Sequence, residues 1–432
     1  MASVSDFVSE DKGAFSVAVN GFVPRRAFVP FNQEDSSTEV LVKAGDRVQE
    51  GQTIAKGKNS SVQATIPGIV ESIEVVQFPN GRQGKAAKIN LGGTFSFIGK
   101  KHGKVNWQGF DASTILMVMA EKGVVNTFEG CESLSEQIKK LHSKSARILA
   151  VRLFDDDPSR VTERFLAERY WNEVVEGAAI IAKAMKANGL VFVHDAKMAV
   201  AFSDADDSLF TVPKAVCAVS IEKYPAGFAH EIASAVKKMH AGAPFSEIGN
   251  RDLYVDAMTA LAAYDAVALS VPLMERYVHV TGDCLNAGAI MKVKIGTTMG
   301  DLAKQCGWFK RQPAKIVVNG IVTGFSVSSL SIPVTKLVKS VAFLPAKKAL
   351  RQYDEQCIGC GDCRKICPVG LYPDMLFRSF QHERNGTELE KQYAATSLLC
   401  TNCALCNAVC PSRLPLSETA MLLKGIEDEE YI

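Results

Sequence analysis

Long apolar runs are missing from these 432 residues: no stretch approaches the ~20 predominantly apolar residues that a membrane-spanning helix needs. Charge of one sign is missing too. Forty-nine Lys and Arg stand against 47 Asp and Glu, a net charge of +2, which argues against a nucleic-acid partner and gives no strong electrostatic address. Residues 1–16 carry acids at Asp6, Glu10 and Asp11 and lack both a basic start and an apolar centre, so they do not read as a secretory signal. A reducing compartment is therefore expected, and the twelve cysteines are not expected to pair as disulfides. A glycine-rich phosphate loop is also absent. The nearest candidate, Gly123 to Cys131, has only Gly123 and Gly130, with Val124, Val125, Asn126, Thr127, Phe128 and Glu129 between them. Side chains of that size keep a backbone from closing on a phosphate.

Cysteine is where the chain is rich. Eight of the twelve fall in two runs of identical spacing, Cys357, Cys360, Cys363 and Cys367 before Pro368, then Cys400, Cys403, Cys406 and Cys410 before Pro411. Both read C-x2-C-x2-C-x3-C-P, the spacing of bacterial two-cluster ferredoxins. Three cysteines three apart on a tight loop can wrap three irons of one cube, and the fourth reaches the other cube. That rule assigns Cys357, Cys360, Cys363 and Cys410 to one [4Fe-4S] cluster, and Cys400, Cys403, Cys406 and Cys367 to a second. Zinc ribbons use C-x2-C pairs rather than triplets with a trailing C-P. Two clusters in series imply electron relay. Cys131, Cys217, Cys284 and Cys306 are scattered and read as buried thiols.

Upstream, Val23 to Ile73 alternates apolar and polar residues with Gly and Pro punctuation, the pattern of a small β-barrel or sandwich. From Ile115 to about Ser270 helical and strand patterns alternate, which predicts an α/β domain with a largely parallel sheet. Thr162 to Ala187 reads as a single helix closed by Asn188 and Gly189, with Ser159 as the expected N-cap. Asp252 to Ala268 reads as another, and Ala229 to Met239 as a third. Ligands of such sheets bind beyond the C-terminal strand ends, which would implicate Arg152, Asp155, His194, Asp195 and Lys197. The run Asp155 to Asp157 reads as a solvated loop. Tyr224 and Gly227, in the segment Lys223 to Phe228, either line a pocket or form a plain turn before the next helix. Arg276 to Pro345 returns to short strands with one helix, Met299 to Cys306, and a hairpin signal at Asn319-Gly320; His279 reads as packed. Lys336, Lys339, Lys347, Lys348 and Arg351 form a basic run expected to be a solvated surface. Two helices, Asp374 to Arg384 and Glu388 to Thr396, are expected between the cysteine runs, and the acidic tail to Ile432 is expected to be exposed.

In this order the segments resemble the C subunit of Rnf-type electron transport complexes. The stretches that carry the resemblance are VKAGDRVQEGQTIA with ATIPGIVESIE, EKYPAGFAHEIASAV, PLMERYVHVTGDCL with VKIGTTMGDL, and the two cysteine runs. The first pair is also similar to lipoyl- and biotinyl-type domains, but the hairpin Lys56 to Ser61 lacks their Asp-Lys or Met-Lys pair. The resemblance implies a multi-domain α+β chain. Its parts would be an N-terminal barrel-sandwich hybrid over 1–110, an α/β Rossmann-like domain over 111–275 related to the flavin-bearing complex I subunit, a β-grasp (SLBB-like) module over 276–345, and a C-terminal helical two-[4Fe-4S] ferredoxin domain over 346–432. It further implies a peripheral subunit on the cytoplasmic face of the inner membrane, partnered by membrane subunits of an ion-translocating complex and by ferredoxin-like carriers, with FMN and NAD(H) as cofactors. The family's flavin loop, G-x-G-G-A-G-F-P-T, corresponds here to Val124 to Ser133, and its N-G-A-E-C-E-P segment to Val151 to Pro158. No flavin- or NAD-binding residue carries over. Two readings stay open: an oxidoreductase subunit with its own nucleotide site, or a cluster-bearing relay and docking subunit without one. Soluble cobalamin reductases share the layout.

Overall fold

Two β-sheets pack face to face near the N-terminus of the computed structural model, which describes residues 2–3, 18–31, 38–57, 60–141, 147–198, 207–240, 242, 244–249, 252–346, 356–381 and 388–430. Arg26–Pro30, Gln83–Leu91, Gly68–Gln77 and Arg47–Val48 form one sheet in that order. Glu39–Val40, Thr53–Lys56 and Ser61–Gln63 form the other. Period-2 alternation sends Ala27, Val29, Ile54, Val70 and Ile89 into the space between the sheets, and Ile66 joins them from the bend before Gly68. Of the Lys56 to Ser61 hairpin, residues 58 and 59 lie outside the described residues.

The second unit is built on four parallel strands, in the spatial order Lys214–Val219, Gly189–Asp195, Ile148–Arg152, Leu253–Asp256. The first two strands in sequence, 148–152 and 189–195, step outward one way, and the last, 253–256, lies on the other side of the first. The direction of winding therefore reverses between 148–152 and 253–256, which makes the C-terminal ends of those two strands a topological switch point. Helices Trp171–Met185 and Ala257–Ala268 cover one face of the sheet and Ala229–Met239 the other. Gly177 lets the first two helices touch, since a Cβ there would stand 1.9 Å from Ala260 O.

Three expectations about this unit are corrected. The run 162–187 is two helices, Thr162–Arg169 and Trp171–Met185, broken at Tyr170, whose ring packs on Tyr277 at 5.5 Å. Lys186, in the left-handed region at φ 53°, ends the second helix in place of a glycine. Ser159 is not the cap of the first: its hydroxyl donates to Asp157, and Asp155 Oδ2 instead accepts from the N–H groups of Glu163 (3.0 Å) and Arg164 (3.3 Å). Leu253–Asp256 is the fourth strand of the sheet rather than the start of a helix, and Asp256 caps the helix that follows by accepting from Thr259 N at 2.8 Å.

A six-stranded mixed sheet follows, ordered Val19–Asn20, Ala289–Lys294, Glu275–Thr281, Ser340–Leu344, Lys315–Val318, Phe325–Val327, with helix Met299–Gln305 packed on it. Asn319 and Gly320 both take positive φ (67° and 108°) as the hairpin signal requires, though the turn runs on to 324 before the antiparallel partner strand begins. A buried ion pair ties this sheet to the barrel: Lys294 Nζ lies 2.7 Å from Glu50 Oε1. The C-terminal unit is helical. Asp362–Ile366 and Leu405–Val409 pack on each other, and Pro373–Gln381, Glu388–Ala395 and Leu416–Glu430 pack around them.

Candidate functional site

The two cysteine runs adopt the same backbone. In each, the third cysteine lies on a five-residue helix whose N-cap is left-handed, Gly361 (φ 76°) and Ala404 (φ 56°). Two further left-handed positions repeat in register: Gly359 with Asn402, and Gly370 with Arg413. These turns fold each loop back over its own sulfurs.

Cys357, Cys360, Cys363 and Cys410 line one pocket of about 330 Å³ of empty space, open in part to solvent, with Asp374 and Leu416 on its wall. The last cysteine of the second run thus faces the first three of the first run. Cys360 is exposed, and Ile358 beside it is 69% exposed. Around the other quartet, Cys406 lies within electrostatic range of Cys403, Cys400 and Cys367. Cys367 and Cys400 pack with Leu371, Leu376, Ala420 and Leu423. Backbone N–H groups aim at two of these sulfurs, Leu371 N at Cys367 Sγ (3.3 Å) and Asn402 N at Cys400 Sγ (3.4 Å). Cys406, Cys357 and Cys410 all pack against the same apolar group, Cys363, Phe377, Leu414 and Leu416, so the two quartets border a shared core. Burial pushes the Cys363 and Cys403 thiols up to about 11. Binding a metal centre would therefore displace their protons. Among the described residues no group of His, Cys, Asp and Glu is arranged to hold a single metal ion. The first quartet's four soft sulfur donors surround a common space, which is what a cubane with one sulfur at each iron corner demands.

The inner quartet rests on the α/β unit. Tyr224 Oη donates to Cys403 O at 2.5 Å, and Tyr224, Phe228, Cys403 and Leu405 form one apolar contact. The segment Lys223 to Phe228 is therefore a docking turn for the cluster-bearing unit.

Behind that turn, at the switch point, lies a buried ion network. Arg152, the last residue of its strand, donates to Gly227 O (2.6 Å) and to Asp156 Oδ1 (2.8 Å), and its guanidinium stacks 4.2 Å from the Phe128 ring centre. Arg160 pairs with Asp156 and lies 3.6 Å from Asp155. Asp157 accepts from the N–H groups of Ser159, Val322 and Thr323. Lys339 Nζ sits 2.5 Å from Asp256 Oδ2 and 2.9 Å from Glu163 Oε1. Burial alone would raise Asp256 and Asp156. Lys339 and Arg152 overcome it at the first and Arg152 and Arg160 at the second, so both carboxyls fall below the usual range. Burial, reinforced by the Asp256 carboxylate, pushes Glu163 up to about 7.

This overturns two expectations. The Asp155 to Asp157 run is withdrawn from solvent rather than solvated: Asp157 is buried, and the side chains of Asp155 and Asp156 are 3% and 13% exposed beside Arg152 and Arg160, which offset their charge. Lys336 and Lys339 are likewise buried rather than part of a surface strip; Lys347, Lys348 and Arg351 lie outside the described residues. Lys336 donates to Ser61 O (3.2 Å) and Gly123 O (2.7 Å), and burial lowers it to about 8. Arg276 is 1% exposed, and its Nε and Nη2 have no hydrogen-bond acceptor among the described residues. Of the other residues implicated at the strand ends, Asp195 is buried 3.9 Å from Arg164, His194 is half-buried, and Lys197 is an exposed partner of Glu222. His279 is packed, and burial lowers it to about 4. Cys131, Cys217, Cys284 and Cys306 are all buried.

Two family models match parts of this chain, at its N-terminal barrel and its cysteine-rich end. Residues 16–93 match the family model of the RnfC barrel sandwich hybrid domain, and residues 348–414 match the 4Fe-4S dicluster domain. The C subunit of the proton-translocating ferredoxin:NAD(+) oxidoreductase complex of Clostridium ljungdahlii is 25% identical over 367 residues, 82% of this chain and 78% of that protein. The C subunit of the ion-translocating oxidoreductase complex of Yersinia enterocolitica is 26% identical over 377 residues, 84% of this chain. The chain spans about half the length of that relative, at 53%, and 52% of its Serratia proteamaculans counterpart. Among solved structures, an NAD+-reducing [NiFe]-hydrogenase in its H2-reduced state aligns with 73% of this chain and 61% of its own, at 14% identity and a TM-score of 0.48.

Proposed function

We propose that this chain, a relative of the C subunits of ion-translocating oxidoreductase complexes, is the electron-transfer subunit of a membrane-associated complex of that type. It relays electrons between the NAD(H)-linked and ferredoxin-linked ends of the complex. The observation that carries the reading is the exchange of the fourth cysteine: Cys410 of the second run lines the pocket of the first run's triplet. Cys357, Cys360, Cys363 and Cys410 hold the outer [4Fe-4S] cluster, and Cys400, Cys403, Cys406 and Cys367 the inner one. When bound, such clusters supply one-electron redox chemistry at potentials tuned by their surroundings.

The protein's own part is to hold, tune and connect. The N–H groups of Leu371 and Asn402 aimed at the inner quartet's sulfurs favour added negative charge there, as hydrogen bonds to cluster sulfurs do. Leu371, Leu376 and Leu423 keep water from that side. The outer quartet, with Cys360 exposed, is the face at which a ferredoxin-like carrier approaches. We read the four-stranded parallel sheet as a Rossmann-like domain and the six-stranded sheet as a β-grasp, SLBB-like brace. No helix among the described residues is long and apolar enough to cross a membrane. Attachment to the cytoplasmic face of the inner membrane then rests on the membrane subunits of the complex.

Replacing Cys363 with serine tests the ligand sets. The anaerobically prepared variant is expected to lose about half of its roughly eight irons, four per cubane, and one of two electron paramagnetic resonance signals. Full iron content with both signals intact refutes the assignment.

A further inference from the structure

The switch point is where an open parallel sheet receives a nucleotide, at the C-terminal ends of the strands on either side of the reversal. Here those ends are Arg152 and Asp256. A nucleotide needs two things there: donors for its phosphates and a slot for its ring. Among the described residues, the helix N-terminus, the backbone N–H groups of Thr127 and Phe128, and the side chains of Arg152, Arg160 and Lys339 are already engaged by the chain's own acceptors. The N-terminus of helix Thr162–Arg169 is capped by Asp155, which takes the N–H groups of Glu163 and Arg164. In the segment that stands where the family's glycine-rich loop would be, Thr127 N donates to Thr259 Oγ1 (3.0 Å) and Phe128 N to Asn126 Oδ1 (3.1 Å). Arg152 and Arg160 share Asp156, and Lys339 is held between Asp256 and Glu163.

The slot is filled as well. The Phe128 ring lies against the Arg152 guanidinium, where a flat ring system would need open space. The Tyr224 to Phe228 turn lies close against the other side: a Cβ on Gly227 would stand 2.7 Å from Asp156 Cα. Arg276 does keep donors with no acceptor among the described residues, but its guanidinium is wholly enclosed and lies close enough to Lys336 for the two cations to repel. One enclosed cation provides no slot for a ring and its phosphate together.

We infer that the crevice is closed by the chain's own ion network and binds neither FMN nor NAD(H), so the protein is a one-electron relay at both ends. This rests on the proposed relay and adds to it. Oxidation of a dihydronicotinamide delivers a hydride, two electrons and a proton together, and needs a two-electron acceptor in contact with it. Without one, each electron must arrive singly from a reduced one-electron protein carrier, which is oxidised as a cluster is reduced. It leaves singly to the next carrier, with no bond made or broken in this chain.

The test uses anaerobically purified, cluster-replete full chain. Acid-extracted flavin, iron content, fluorescence titration with FMN, and electron paramagnetic resonance after NADH or dithionite are measured on one preparation. The expected result is about eight irons per chain, flavin far below one per chain, no FMN binding at micromolar concentrations, and clusters that dithionite reduces and NADH does not. Stoichiometric flavin, saturable FMN binding or NADH-reduced clusters overturn the inference while leaving the relay standing. A protein that cannot be loaded with iron overturns the relay itself.

Discussion

Replacing Glu163 with glutamine isolates one group of the ion network and makes its sign measurable. The Glu163 carboxylate is fully buried, 2.9 Å from Lys339 Nζ, and its Oε2 accepts from Met258 N at 2.9 Å. Burial, with the Asp256 carboxylate sharing the same lysine, lifts its pKa from 4.5 to about 7. A folded-state pKa above the unfolded one means that the native state holds the proton more tightly. The stability from this group is therefore fully present below pH 4.5 and is lost as pH rises through 7. At about 1.4 kcal/mol for each pH unit, that window amounts to roughly 3 kcal/mol. Glutamine matches the protonated acid in shape and keeps an acceptor for Met258. The two proteins should have nearly equal stability at pH 5, and the variant should gain about 2–3 kcal/mol over the parent by pH 8. Anaerobic thermal unfolding followed by circular dichroism across that range reads the gap, on the order of several degrees. A gap that stays flat with pH, or a variant that weakens as pH rises, would show that Lys339 keeps Glu163 ionised and would refute the assignment.

Replacing Lys339 with methionine strips Asp256 and Glu163 of their shared cation. Removing one partner of a buried pair costs about 3–5 kcal/mol, which denaturant unfolding should report as a lower midpoint. Replacing Tyr224 with phenylalanine deletes the hydrogen bond to Cys403 O at a cost of about 1–2 kcal/mol. The inner cluster should then release iron to a chelator faster while the outer cluster is unchanged; equal rates for both clusters would count against docking through Tyr224.

Elements whose signals are local were legible in the sequence. Helix Ala229–Met239 falls where its periodicity put it, and the two cysteine runs carry their own geometry. The strand Leu253–Asp256 was not, because four apolar-rich residues abutting a helix show no period of their own. Its signal was Asp256 three residues before Thr259, a capping pair that marks the helix start one residue later. The burial of Asp155 to Asp157 had a trace in Arg152, Asp156 and Arg160, charges of alternating sign four residues apart. Lys339 offered no trace: its carboxylates lie 83 and 176 residues away, and only the packing of two sheets brings them together.

The two cysteine runs share a backbone but not its side chains, and the difference follows their surroundings. At the two left-handed positions inside each triplet, the outer run places Gly359 and Gly361 and the inner run Asn402 and Ala404. A side chain in that region costs about 1–2 kcal/mol, and such residues persist only where neighbouring structure fixes them. The inner loop is fixed in this way, by Tyr224 on Cys403 O and by Lys424 on Cys400 O at 3.2 Å. The outer loop faces solvent at Ile358 and Cys360 and must hold its turn by intrinsic preference. Glycine serves a second end there. Without side chains at 359 and 361, the backbone around Cys360 is bare, and a partner's redox centre can come close to the cluster edge. Folding and access thus favour the same residues on the outer loop, whereas the inner loop, held by Tyr224 and Lys424, carries Asn402 and the buried Ala404 at those two positions.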